Sequence, residues 1–392
     1  MNKVLSSLIA ILLGGAFGGM LLVVIALTVQ EINFASAWDG IRVVLAGVFN
    51  LGRDVNGSGA LQFGFNGKLI GDMLFRATPL IMTGLSVAVS YKTGLFNIGA
   101  PGQYLAGTAA AIVVGLSVNT EVVPSWIAWL LALLAAMLAG AVWGAIPGIF
   151  KAYFNVNEVI TSIMFNWIGL YLVNELMYTG VPGMYDQKTT RTYKLSSASP
   201  SSLIPDLGLN AVFKTNSTTI AIFFAVAFAI LVYVILSKTT FGYELKACGF
   251  NKDAAKYAGI NEKRNIVLSM TISGALAGIG AGLYFLSGAS EWNPQVSTAL
   301  PAVGFNGIPV ALLALSNPIG VIFAAIFVAH ISVGGSYLPT KYYQPEIADL
   351  IVAVIIYLCA FVMLFKEMIR RSLSKKKRAE EAAKESGKGE TK

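Results

Sequence analysis

The chain has 392 residues, 56% of them hydrophobic and only 12% charged, with a formal net charge of +8. A water-soluble domain of this size carries about twice that charged fraction, so the composition excludes an ordinary soluble globule. Apolar segments near the ~20 residues that a helix needs to cross a bilayer recur along the sequence; short alternating strands do not, which excludes a barrel.

The first apolar segment, 5–29, follows Lys3 like a signal peptide. Its run is too long for one, and no small-residue cleavage site stands at Gln30–Glu31, so an uncleaved anchor is expected. Further spans are expected at 74–91, 98–117, 125–149, 157–179, 217–237, 265–288, 300–315, 318–335 and 347–366. The fold class is therefore all-α integral membrane, with about ten transmembrane helices. The expected organisation is an N-terminal anchor and external loop over 1–73, a transmembrane domain over 74–366, and a basic cytoplasmic tail over 367–392. A short cytoplasmic helix is expected near 249–260.

Charge orients these spans. With the N-terminus inside, 19 of the 28 Lys and Arg fall on cytoplasmic segments, and an even number of crossings returns the tail to the cytoplasm. Seven of them lie between Lys366 and Arg378, which suits anionic membrane lipid rather than nucleic acid. The end of the tail, AEEAAKESGKGETK, is too polar to build a core. The external segment 180–216 is polar and turn-rich, and is open between contacting an external partner and capping the bundle.

Two glycine-rich interruptions fall inside the apolar pattern. Lys92 to Gln103 holds three glycines and a proline, and Val303-Gly-Phe-Asn-Gly-Ile-Pro309 has a similar flavour in the other half. Such a break frees backbone groups that survive at membrane depth only in protein or beside a wet cavity. Segments 74–179 and 265–366 thus read as inverted repeats with broken helices near a translocation path; plain inter-helix turns are the other reading. On the span opening at Asn157, Glu158, Thr161, Ser162, Phe165 and Asn166 share one face, which is expected to look inward. Glu158 is open between that role and complementing the helix dipole. Phe96, Asn97, Gln103, Glu158, Asn166, Phe305 and Asn306 are the candidate path residues. Their amides and aromatic rings, without clustered arginines or an acidic pair, suit a neutral, partly aromatic solute.

An energy source is absent from the chain itself. Mid-span ionisable residues are few (Glu158, Glu175, His330 and Asp349), no G-x-x-x-x-G-K-[ST] phosphate loop occurs, and no nucleophile–base pair or metal-ligand spacing stands out. No catalytic residue, metal site or cofactor is expected, and His330 reads as a hydrogen-bonded packing residue. Yet GFNKDAAKYAGINEKR, Gly249 to Arg264, puts six charged side chains into sixteen residues. Two alanines after Asp253 give a helix a thin, close-packing face, and Gly259 closes it. A groove on a cytosolic partner would take such a rod; an amphipathic surface connector is the other reading.

At this point the residues resemble a known family. Asp253-Ala254-Ala255 followed by Gly259 is similar to the coupling segment of permease subunits from binding-protein-dependent ABC importers. FGYELKACGFNKDAAKYAGIN, SGALAGIGAGLYFLSG, GLFNIGAPGQ, NEVITSIMFNWIGLYL and GFNGIPVALLALSNPIG resemble, in order from about Phe75 to Gly335, the branched-chain amino acid/ribose-type permease superfamily. Within it the simple-sugar and nucleoside branch is the nearest likeness, and nucleoside permeases more than sugar permeases. The resemblance implies a multi-pass subunit of a prokaryotic plasma membrane, with both termini cytoplasmic. It implies a cytosolic ATP-binding subunit that holds ATP and Mg, a second homologous permease or a copy of this chain, and an external solute-binding lipoprotein or periplasmic protein. It assigns coupling to Asp253, Ala254, Ala255 and Gly259. One departure is Pro101, where relatives often carry an acidic residue. The alternative function is a stand-alone secondary carrier or facilitator of neutral solutes.

Overall fold

Asn66 starts the first long helix of the continuously described residues by accepting the Leu69 N–H on its side chain. Helix α1, Gly67–Lys92, is then buried continuously from Ala77 to Ser90. A helix with no polar face to spare has to satisfy its own hydroxyls. Thr78 donates to Leu74 O at 2.8 Å, Thr83 to Pro79 O at 3.0 Å and Ser90 to Val87 O at 2.9 Å. The computed structural model describes residues 63–118, 122–294 and 298–336, with scattered positions at 20–49 and 350–354. Ala46–Tyr337 form one compact unit; the second, Met1–Leu45 with Leu338–Lys392, lies almost entirely outside the described residues. The expected spans 5–29 and 347–366 therefore fall outside them too.

After α1 come α2 (Ala100–Ser117), α3 (Ser125–Phe154) and α4 (Glu158–Glu175), the last widening into a π turn at Leu176–Gly180. A two-stranded antiparallel hairpin, β1 (Tyr185–Asp186) and β2 (Arg191–Thr192), precedes two short helices, α5 (Leu195–Ala198) and α6 (Leu209–Phe213). Helix α7 (Ala221–Lys238) leads into α8 (Thr240–Phe250) and α9 (Lys252–Tyr257). Helices α10 (Glu262–Phe285), α11 (Ala302–Leu313) and α12 (Pro318–Ser336) complete the described chain. Among the described residues six helices are long and apolar enough to cross a membrane, and the only strands are those of the hairpin.

The core seam lies between α3 and α10, where membrane helices approach through small residues. A Cβ on Gly140 would sit 2.3 Å from Gly274 O, one on Gly144 2.5 Å from Met270 O, and one on Gly278 2.2 Å from Ala136 O. Helix α2 joins at Gly107, whose Cβ would meet Gly278 Cα at 2.5 Å. The outer faces of α3, α4 and α7 carry exposed Leu134, Leu138, Ile163, Trp167, Phe223 and Leu231, an apolar surface suited to lipid or a second subunit.

Two expectations need correction. The span at 300–315 is a helix of 12 residues, about 18 Å long at the usual rise, short of a ~30 Å slab. Nor is the chain broken at 303–309: α11 runs through it. Its glycines serve close approach instead, Gly304 against Pro101 and Gly307 against Thr83, where added Cβ atoms would lie 2.5 Å from Pro101 Cα and 2.6 Å from Thr83 C. His330 accepts the Val48 N–H on Nδ1 at 3.4 Å and meets the Phe49 ring edge-on, which bears out a packing role.

On the far end of the bundle, the hairpin is fastened to the segment after α10. Thr192 N donates to Trp292 O at 2.8 Å and Trp292 N to Thr192 Oγ1 at 3.0 Å. Trp292 Nε1 donates to Asn174 Oδ1 at 2.9 Å, and its ring packs edge-on against Phe285. Arg191 and Glu291 add an exposed ion pair at 3.3 Å, worth little by itself.

Candidate functional site

Helix α1 ends at Lys92, and Gly94 turns the chain with φ +76°, a left-handed conformation that side chains resist. The stretch from Thr93 to Gly99 has no helical ladder, so its backbone must find partners elsewhere. Asn166 supplies two: its Oδ1 accepts from Gly102 N at 2.8 Å and its Nδ2 donates to Ile98 O at 2.9 Å. Asn97 and Gln103 bind each other reciprocally through their amides, at 2.9 and 3.1 Å. Asn97 also donates to Ser86 Oγ at 3.1 Å and accepts from Gly99 N at 3.0 Å. All three amides are buried.

Helix α4 clamps this break from its first turn. Asn157 caps the helix through Val159 N at 2.8 Å, and the Glu158 carboxylate takes Lys151 Nζ at 2.8 Å and the Phe96 backbone N–H. The stripe expected on one face does turn inward: Thr161, Ser162 and Asn166 are buried, while Trp167 points out. Gly304 brings the start of α11 onto Pro101, so both glycine motifs meet at one place in the bundle. Phe305, on the outer side of that turn, keeps 36% of its surface exposed, and Asn306 is half-buried.

The charged stretch folds into α8 and α9. Asn251 caps α9 by accepting Ala254 N at 3.0 Å; Asp253 lies in the first turn and Lys256 in the last, each complementing the dipole. Gly259 ends the rod at φ +81°, with Ile260 N reaching back to Ala255 O at 3.0 Å. Ala255 is the buried contact of the rod; Asp253, Ala254 and Gly259 are exposed. Phe250 and Tyr257 are 90% and 94% exposed, large rings with no cover among the described residues. Just before the rod, Gly249 rests on the break. Its Cβ would lie 2.3 Å from Lys92 O and 3.0 Å from Gly94 N. Beside that joint, the hydroxyls of Thr93 and Ser269 share a hydrogen bond at 2.8 Å.

Residues 69–360 match the family described as branched-chain amino acid transport system / permease component. The chain belongs to this family. Over 361 residues it is 35% identical to the guanosine ABC transporter permease protein NupP of Bacillus subtilis, covering 92% of this chain and 94% of that one. Over 330 residues it is 34% identical to the nucleoside ABC transporter permease protein NupB of Lactococcus lactis, covering 82% and 86%. The glucose ABC transporter permease protein TsgB13 of Haloferax volcanii is 30% identical, covering 78% of each chain. No solved structure matches. The chain is a permease subunit of an ABC transporter and a multi-pass protein of the plasma membrane.

In this permease, Phe96, Asn97, Gln103, Glu158 and Asn166 gather at one break, and Phe305 and Asn306 stand on the helix that packs beside it. The buried amides bond to protein, so they fix the shape of the break rather than present free groups. Sequence reasoning missed the Gly94–Gly249 joint, Ser86 and Trp143. Trp143 Nε1 and Ser162 Oγ are buried there without a partner among the described residues. Ser162 was visible on the polar stripe, whereas nothing local marks Trp143 apart from other apolar-run aromatics. Asn166→Leu keeps the number and branching of side-chain heavy atoms but orphans two backbone groups, and is expected to cost about 2 kcal/mol or more. A fall in the thermal midpoint of the detergent-purified permease checks this; an unchanged midpoint would show that the amide holds nothing.

Proposed function

We propose that this chain is the membrane-spanning subunit of an ATP-driven importer that carries a neutral solute, a nucleoside before a simple sugar, into the cytoplasm. Nucleoside and guanosine permeases among its relatives support the solute class. The distribution of basic residues supports an orientation with both termini, and the rod, in the cytoplasm. The partners in this reading are a cytosolic subunit holding ATP and Mg, a second permease or a copy of this chain, and an external solute-binding protein.

The observation that carries the mechanism is the contact between Gly249 and the break. Asp253, Ala254, Ala255 and Gly259 form a rod that ends in uncovered aromatic rings, the kind of anchor that dominates protein interfaces. Force applied there passes through a backbone-to-backbone contact, with no flexible side chain between, into the turn held by Asn97, Gln103, Glu158 and Asn166. That turn has two-sided support and so moves as a unit. Its displacement, with Phe96, Phe305 and Asn306 along the path, opens the conduit inward.

The test is ATP-dependent uptake of labelled guanosine in vesicles carrying the whole importer. Unlabelled uridine is expected to compete well, and free ribose poorly. Uptake that survives ATP depletion would overturn the reading in favour of a secondary carrier. Gly259→Glu has open space around it but strains the φ +81° turn that closes the rod, a local surface effect, so the permease should insert normally while the end of the rod is disturbed. Uptake is expected to fall by about tenfold or more, with less ATPase co-purifying. Normal uptake in that variant would remove coupling from the rod.

A further inference from the structure

A cavity of about 670 Å³ opens at the end of the bundle opposite the rod. Its walls place it: Ser125 begins α3, Asn216–Thr219 lead into α7, and Ser287–Ala289 follow α10. Helix α7 runs from this cavity to α8, and α10 returns from the rod to the cavity, so the two lie on opposite membrane faces. The remaining wall is the loop from Lys194 to Asn210.

That wall is built rather than loose. Ile204 N donates to Leu286 O at 3.0 Å, and Ile220 N to Pro205 O at 3.2 Å, tying the loop to the ends of α10 and α7. Leu203 fits against Gly288, where a Cβ would lie 2.8 Å from Leu203 Cδ2. Asn210 is oriented by Thr218 N, which donates to its Oδ1 at 3.1 Å, so the amide NH₂ is the group left over. Lys194 and Asp206 both line the space, and among the described residues neither is within ion-pair distance of an opposite charge. One cation and one anion leave the lining without net charge. A free carboxylate accepts two adjacent hydroxyls, the amide and ammonium donate to others, and Leu203 and Ile204 give an apolar surface for a ring face. Beneath, Ser217 and Thr219 also line a pocket of about 10 Å³ between α1, α7 and α10, room for about one water.

We propose that this cavity is an external receiving site for a neutral solute bearing a vicinal diol, held there before it passes into the bundle. The assignment rests on the import reading above. The experiment uses the full chain in lipid nanodiscs without any binding protein, probed by saturation-transfer NMR with uridine, ribose and 2′,3′-dideoxyuridine. Uridine and ribose should give signals that Asp206→Asn lowers about tenfold, the loss of a charge-assisted contact, while dideoxyuridine gives little with either protein. The Asp206 side chain holds no described structural partner, so the variant is expected to melt like the parent. An equal signal from dideoxyuridine, or one unchanged in Asp206→Asn, overturns the site. A second arm adds the binding protein: loss of its capture by Asp206→Asn with uridine occupancy intact also overturns the site, making the cavity a protein-docking surface. A complete importer that moves neither nucleosides nor sugars would sink the import reading instead, leaving occupancy of the cavity to be judged by the NMR.

Discussion

Gly249→Val is expected to abolish uptake while leaving the permease inserted and its ATPase bound. The added Cβ would stand 2.3 Å from Lys92 O and 3.0 Å from Gly94 N, and both obstacles are backbone, which cannot swing aside. Valine therefore lifts α8 off the break. The exposed rings of Phe250 and Tyr257 remain free to engage the partner, so assembly should persist as coupling fails. Uptake is expected to drop on the order of 100-fold, with ATP hydrolysis continuing and no longer stimulated by loaded binding protein. Gly249→Ala, which meets the same oxygen, should fall between the parent and valine. The decisive measurement is the ratio of solute moved to ATP consumed in proteoliposomes. A ratio equal to that of the parent would mean that the joint transmits nothing.

Gly274→Val should strike stability instead of coupling. Its Cβ would lie 2.1 Å from Gly140 O and 2.9 Å from Gly144 Cα, at the tightest part of the α3–α10 seam. Overpacking such a contact costs about 3 kcal/mol or more, because the helices must separate along their length and lose dispersion contacts that lipid does not restore in kind. The expected readout is a marked fall in thermal midpoint and yield of monodisperse protein in mild detergent. Gly67→Ala is the control, since its Cβ would make ordinary contacts no closer than 3.7 Å with the Phe213 backbone. If Gly274→Val melts like Gly67→Ala, the seam is not what holds these two helices.

Much of this was legible in the sequence where the signal is local. Apolar length gave away the long helices but not all their starts: α1 and α10 begin at Gly67 and Glu262, ahead of the expected 74 and 265, because the Asn66 and Asn261 side-chain caps extend them into polar turns. The rod, expected near 249–260, is Lys252–Tyr257 between Asn251 and Gly259, because a cap and a left-handed glycine are both short-range features. Glycine was harder to interpret in the second motif. It can interrupt a helix or let another backbone come near, and only the partner decides; for Gly304 that partner is Pro101, far away in sequence. Asn166 posed the same problem. An amide on an inward face suits a solute or a stranded backbone equally well, and Gly102 and Ile98 are what it meets. The cavity lined by Lys194 and Asp206 was legible only as the polar, turn-rich segment 180–216, because its walls come from four separated segments that only the fold brings together.

The fastening of Trp292 has a mechanical consequence. Helix α10 has 24 residues, a strut about 36 Å long, with the rod joined at its first turn and the tryptophan-bound hairpin at its last. Because a helix is far stiffer along its axis than the loops at either end, a displacement of one terminus arrives at the other nearly undiminished. In the proposed reading, a partner that grips the hairpin presses on the same beam as an ATPase acting at the rod, and linkage then requires each to feel the other.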